Sequence, residues 1–134
     1  MNSLYVTTAV IEAGAGLALL CLPSAAAKLL LGAPLQEPAA FVVARVGGVG
    51  LLTLGIACWL ARSDTQSSAA RGLTTAMVVY NLGVAFILGA AGLRLQPVGA
   101  ILWPAVVLHT AMTAWCIMIL RYSSFAARPG NLRQ

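Results

Sequence analysis

Charge is what this chain has least of. Of its 134 residues only 8% are charged, with three acidic side chains, eight Lys or Arg and a single His. A soluble domain carries about a quarter charged residues, so a water-facing globule is excluded. Cysteine chemistry is equally thin. Cys21, Cys58 and Cys116 form no C-x-x-C pair, which removes the zinc and redox signatures and leaves them as small buried hydrophobes. There is no H-E-x-x-H, no phosphate-binding glycine loop, and no Ser–His–acid set that spacing can support. One His and one Glu are too few for zinc, and a haem would need a second axial ligand from another subunit. The sequence therefore assigns no catalytic residue, no metal and no cofactor.

What is present is apolar length. Sixty per cent of the residues are hydrophobic, and they fall into four long runs. A spanning helix needs about 20 apolar residues at 1.5 Å rise each. Four such spans and their loops use up nearly the whole chain, so no room remains for a soluble catalytic domain. The fold expected is all-α: an integral membrane four-helix bundle forming a single domain. The spans run at about 4–22, 38–61, 69–93 and 98–122. Residues 13–22 would pass for the apolar core of a signal peptide, with 25–27 as its cleavage site. Residues 1–11 carry no Lys or Arg, however, and Glu12 precedes the run, so the segment reads as the first span.

Prolines and glycines mark the joints. Pro23 ends span one, and residues 24–31 form a run too short to cross a membrane. A short interfacial helix is expected there, with Ser24 as its N-cap and Gly32 as its stop. Pro38 suits the first turn of span two. Asp64 or a neighbouring Ser caps span three after the polar linker 62–71. Pro104 falls inside span four and should kink it, freeing the Ala100 carbonyl. The tail 123–134 is polar and loose.

Net charge is +5. The basic residues sit mostly at span ends, where they anchor to headgroups and do not signal nucleic acid. Arg62, Arg71, Arg121, Arg128 and Arg133 lie on one side, and Lys28 and Arg94 on the other. That asymmetry places both termini in the cytoplasm of a bacterial cell, in a multi-pass inner-membrane topology. Tyr5, Trp59, Trp115 and Tyr122 mark the cytoplasmic ends and Trp103 the opposite one. Three small-xxx-small patterns, Gly14…Ala18, Ala44…Gly48 and Ala85…Gly89, serve helix packing, mainly within the bundle.

Three polar residues lie far from any span end: Glu12, Asn81 and His109. Measured from the non-cytoplasmic side, each is roughly 15–18 Å deep, near the bilayer centre. Arg45, roughly 10 Å deep, is the fourth candidate. Its side chain can reach down to Glu12, each charge lowering the other's desolvation cost, or snorkel outward. Tyr80 is about 100° from Asn81 around the helix and is expected to face elsewhere. A charge at the bilayer centre costs at least about 2.5–3.5 kcal/mol. These four residues are accordingly the candidates for a ligand or proton site. The competing reading is structural glue, worth about 0.6 kcal/mol per contact.

The order Leu22-Pro23…Leu30-Leu31-Gly32-Ala33-Pro34-Leu35…Pro38, then Ala44-Arg45-Val46-Gly47-Gly48, Leu51 and Leu54-Gly55, resembles small four-span bacterial proteins of the DoxX-like group. The resemblance covers residues 17–62. It implies the short helix after span one and an arginine followed by glycines early in span two, here Arg45, Gly47 and Gly48. Some such proteins accompany oxidoreductase systems. Glu12, Asn81 and His109 lie outside the shared pattern.

The function expected is a non-enzymatic accessory or ligand-binding subunit. The first alternative is an oligomeric small-molecule or proton transporter or channel protomer. The second is an intramembrane enzyme acting on a lipid-like substrate, with Glu12 and His109 as acid and base. The lipid bilayer is the expected partner, along with copies of the chain or a larger membrane complex.

Overall fold

The computed structural model describes residues 2–64, 67–95 and 97–126. It contains five helices: α1 (Asn2–Cys21), α2 (Pro23–Leu31), α3 (Pro38–Ala61), α4 (Ser68–Arg94) and α5 (Leu102–Ala126). No strand occurs among the described residues. Four of the helices are long and apolar enough to cross a membrane, at Asn2–Cys21, Pro38–Ala61, Ser68–Arg94 and Leu102–Tyr122.

Local chemistry explains the joints. Leu22 precedes a proline, which disfavours helical backbone, and it leaves the helix at φ −132°, ψ 51°. Pro23 then opens α2, so Leu22 and not Ser24 holds the N-cap position. Gly32 closes α2 in the left-handed region at φ 86°, its N–H bonded to the Lys28 carbonyl. Pro38 begins α3 after an extended Glu37. Ser67 caps α4: its Oγ accepts the Ala70 N–H and donates to Asp64, whose other oxygen accepts the Ser67 N–H.

Span four starts later than its hydropathy indicates. Residues 97–101 lie outside the helix, and Ile101 donates its N–H to the Leu29 carbonyl of α2. Gly99 backs onto Leu29 and Leu30, where any side chain would collide with their backbone. Pro104 therefore occupies the first turn of α5, where its missing N–H costs nothing, and it has no helical interior to kink. The start of the tail, through Ala126, is helical; residues 127–134 of the expected loose tail lie outside the described residues.

The helices pack as two antiparallel pairs. In the first, α1 and α3 touch backbone to backbone. A Cβ on Gly16 would stand 2.7 Å from the Gly48 carbonyl oxygen, and one on Gly55 would stand 3.0 Å from Ala13 N and Ala9 O. Of the small-residue patterns, Gly48 alone supplies a close glycine contact. Gly14 and Gly89 face open space, and Ala18 is exposed. In the second pair, α4 meets α5, with Gly92 against Leu102 and Trp103.

Tyr5 ties the pairs together. It is fully buried, its hydroxyl 2.7 Å from the Ala70 carbonyl and 2.8 Å from Thr74 Oγ1. It is thus an interior residue, placed at the end of the bundle where α4 begins. Cys58 and Cys116 are buried beside it, but Cys21 is exposed at the end of α1, contrary to its reading as a buried hydrophobe. The outer surface is apolar all round: Val43, Leu60, Val79, Phe86 and Leu93 are among the many exposed hydrophobics. Water would not tolerate so large a patch; lipid would.

Candidate functional site

α4 lies between α1 and α5, and neighbouring residues on it serve different partners. Tyr80 reaches α1, where its hydroxyl donates to Glu12 Oε2 at 2.9 Å. Asn81 reaches α5, where its Oδ1 stands 2.8 Å from His109 Nδ1. The Tyr80 and His109 rings meet edge to face, with centroids 5.8 Å apart at 82°. Glu12, Tyr80, His109 and Asn81 thus form one connected polar chain across three helices. Glu12 and Asn81 are buried, whereas Tyr80 and His109 are partly exposed.

Glu12, Asn81 and His109 therefore come together through Tyr80, which the helical angle from Asn81 alone sends to another face. The expected pairing of Glu12 with Arg45 does not form. Arg45 is exposed, and no ion pair joins the two. The packing explains why. Gly16 abuts Gly48 and Leu52, so Glu12 lies a turn to one side of that contact and Arg45 about a turn to the other. They stand roughly 10 Å apart along the bundle axis, because α3 begins beyond the end of α1.

The hydrogen bonds determine which atoms remain available. Asn81 Nδ2 donates to the Met77 carbonyl at 2.8 Å, which fixes the orientation of the amide. Its oxygen must then be the atom facing His109. An amide oxygen only accepts, so His109 Nδ1 carries the proton and donates. The neutral ring presents Nε2 as a bare acceptor. Nε2 makes no hydrogen bond among the described residues, and neither does Glu12 Oε1. Neither atom is sealed in, since among the described residues the enclosed side-chain atom without a partner is Thr8 Oγ1.

Packing changes at this level of the bundle. On one side the pairs are closed: Tyr5, Thr8, Cys58, Thr74, Met77 and Cys116 are buried, with Cys58 Sγ 3.7 Å from Met77 Sδ. On the other side the same inward faces continue through Ala15 on α1, Val84 and Leu88 on α4, and Ala105 on α5. Ala15 is exposed and the others are only partly buried. The fully buried residues there belong to contacts within one pair, such as Gly16 and Gly92, or to α2 and the loop it covers. The polar chain marks the level beyond which these inward positions are no longer fully buried, and α2 packs against α1, α3 and α5 at the far end. A separate groove of about 300 Å³ lies between α1 and α3, lined by Ala9, Val10, Ala13, Gly55, Ile56 and Trp59. It presents no polar surface and does not include the chain.

No group of three or more His, Cys, Asp or Glu able to hold a metal occurs among the described residues. No protein-family model, curated protein or solved structure matches this chain.

Proposed function

We propose that this protein is a small multi-pass inner-membrane protein, both termini cytoplasmic, that binds a lipid-soluble molecule with a polar head. The head meets the Glu12–Tyr80–His109–Asn81 chain near mid-membrane, and the apolar body lies between the two helix pairs. The observation that carries this reading is the position of the chain. It links three helices, it leaves His109 Nε2 and Glu12 Oε1 without a hydrogen bond among the described residues, and it stands where the inward faces cease to be fully buried. Polar groups meant only to bond one another would satisfy themselves in the closed half. Apolar walls with a few convergent polar groups are the usual make-up of a small-molecule site.

The role follows as a binding or accessory subunit with no chemistry of its own, serving a larger complex or acting as an oligomer. The DoxX-like resemblance belongs with this reading, since it concerns the same architecture. Purification from native membranes in mild detergent tests it, with mass spectrometry of the organic extract. The wild-type protein should carry a defined lipid-soluble compound that is depleted in folded Glu12→Leu and His109→Leu proteins. Identical extracts from all three would refute it.

A further inference from the structure

Resting on that binding site, the geometry points to the chemical class of the ligand: we infer that His109 Nε2 recognises a hydroxyl, so that the ligand is a lipid-soluble phenol or alcohol and not an ether, ketone or ester. The argument runs through Asn81. Its Nδ2 is committed to the Met77 carbonyl and its Oδ1 to the imidazole. An unrestrained histidine can place its proton on either nitrogen and so recognise donors or acceptors alike. Here the amide holds the proton on Nδ1, and Nε2 can only accept.

The second free atom is Glu12 Oε1, whose neighbour Oε2 already takes the Tyr80 proton; it accepts from a hydroxyl when the carboxyl is ionised and donates to the same hydroxyl's oxygen when it is neutral. Tyr80 is the one hydroxyl donor in the chain, and its proton is spent on Glu12. At His109 the chain therefore offers an acceptor and no donor. A ketone or ether head would bring another acceptor to face Nε2, leaving lone pairs opposed in an apolar surround. A hydroxyl head supplies the missing proton. Discrimination of this kind is strong because the losing ligand leaves buried polar atoms unpaired.

His109 is the protein's single histidine, so an imidazole-¹⁵N-labelled sample gives the signals of this ring alone. In lipid nanodiscs, Nδ1 should appear protonated and Nε2 unprotonated. A long-chain 4-alkylphenol should shift the Nε2 signal toward that of a hydrogen-bonded acceptor, and its methyl ether should leave it in place. The phenol should bind about tenfold more tightly than the ether. Asn81→Leu, which frees the ring, should bring the two affinities close together. Asn81→Asp, which keeps an oxygen opposite Nδ1, should preserve the preference and controls for folding. A proton on Nε2 in the free protein overturns the inference, as does equal binding of phenol and ether; in the latter case the binding-site reading stands. Binding of neither probe, with no compound in the native extract, removes both.

Discussion

Two glycines on one helix provide a direct test of how the bundle is held together. Gly16 and Gly14 differ by two positions, so they sit on nearly opposite sides of α1. At Gly16 a methyl group would stand 2.7 Å from the Gly48 carbonyl oxygen and 2.7 Å from the Leu52 nitrogen. Both atoms are backbone, within helix α3, and neither can rotate away. Gly16→Ala must push the two helices apart by a few tenths of an ångström or more, loosening the contacts along their shared face. Overpacking of this kind costs about 1–3 kcal/mol. At Gly14 a methyl group meets nothing within 4 Å. In water, Gly→Ala there would gain up to about 1 kcal/mol of helix propensity. In a bilayer the separated helices stay helical, so that gain shrinks and Gly14→Ala should change stability by less than about 0.5 kcal/mol. The assay is unfolding by SDS titration in mixed micelles, read from tryptophan fluorescence. Gly16→Ala should lower the folded-to-unfolded ratio at the wild-type midpoint by about fivefold to 150-fold, since 1.4 kcal/mol is a factor of ten in that ratio. Equal behaviour of the two variants would refute the backbone contact between α1 and α3.

Tyr5→Phe should cost only about 1 kcal/mol in the same titration, because Thr74 Oγ1 still bonds the Ala70 carbonyl when the phenol is removed; a loss of several kcal/mol would mean that Tyr5 bears more than this hydrogen bond. For topology, Ser63→Cys and Ala33→Cys should be made in a Cys21→Ser background, since Cys21 is exposed. An impermeant thiol reagent applied to intact cells should label position 33 and spare position 63, and the opposite pattern would invert the proposed orientation.

Much of the architecture is legible in the sequence because it depends on quantities that add along the chain. Apolar length defines four helices, and Pro23, Gly32 and Pro38 mark ends that backbone sterics enforce. Depth also adds along a helix, which is why Asn81 and His109 could be matched before any contact was known. Arg45 fails the same arithmetic for a physical reason. The start of α3 overhangs the end of α1, so Arg45 stands farther from Glu12 along the bundle axis than a count from the start of α3 implies. Pro104 fails similarly: residues 97–101 are apolar enough to extend a span, yet they are drawn out of the helix by their bond to α2.

Tyr80 was hidden by a different limitation. A hundred degrees separates it from Asn81, and a helix with one neighbour would send one of the two into lipid. α4 has neighbours on two sides, so both residues are used. A usable signal was present: a tyrosine at that depth needs a partner for its hydroxyl, since lipid provides none. The glycine patterns show the same gap. Spacing identifies stripes of small residues, but only the packing reveals that Gly16 and Gly55 face α3 while Gly14 faces outward.

The energetics of the polar chain bear on why it exists. Interhelical hydrogen bonds in a bilayer contribute about 0.6 kcal/mol each, and an ionisable group at its centre costs several times that. Two bonds between helices, Tyr80 to Glu12 and His109 to Asn81, therefore do not offset the burial of a glutamate and a histidine. Apolar residues of similar volume would close the bundle at less cost, as they do for many buried ionic groups in soluble proteins. Nor does the chain secure the register of the pairs, since Tyr5 with Ala70 and Thr74 already does so in the closed half. What the chain adds is an imidazole whose Nε2 is held as an acceptor and is left without a hydrogen bond among the described residues. Orientation of that kind is a liability in an empty fold and an asset when a partner supplies the proton. Stability alone thus leaves these four residues unexplained, and the proposed binding site accounts for them.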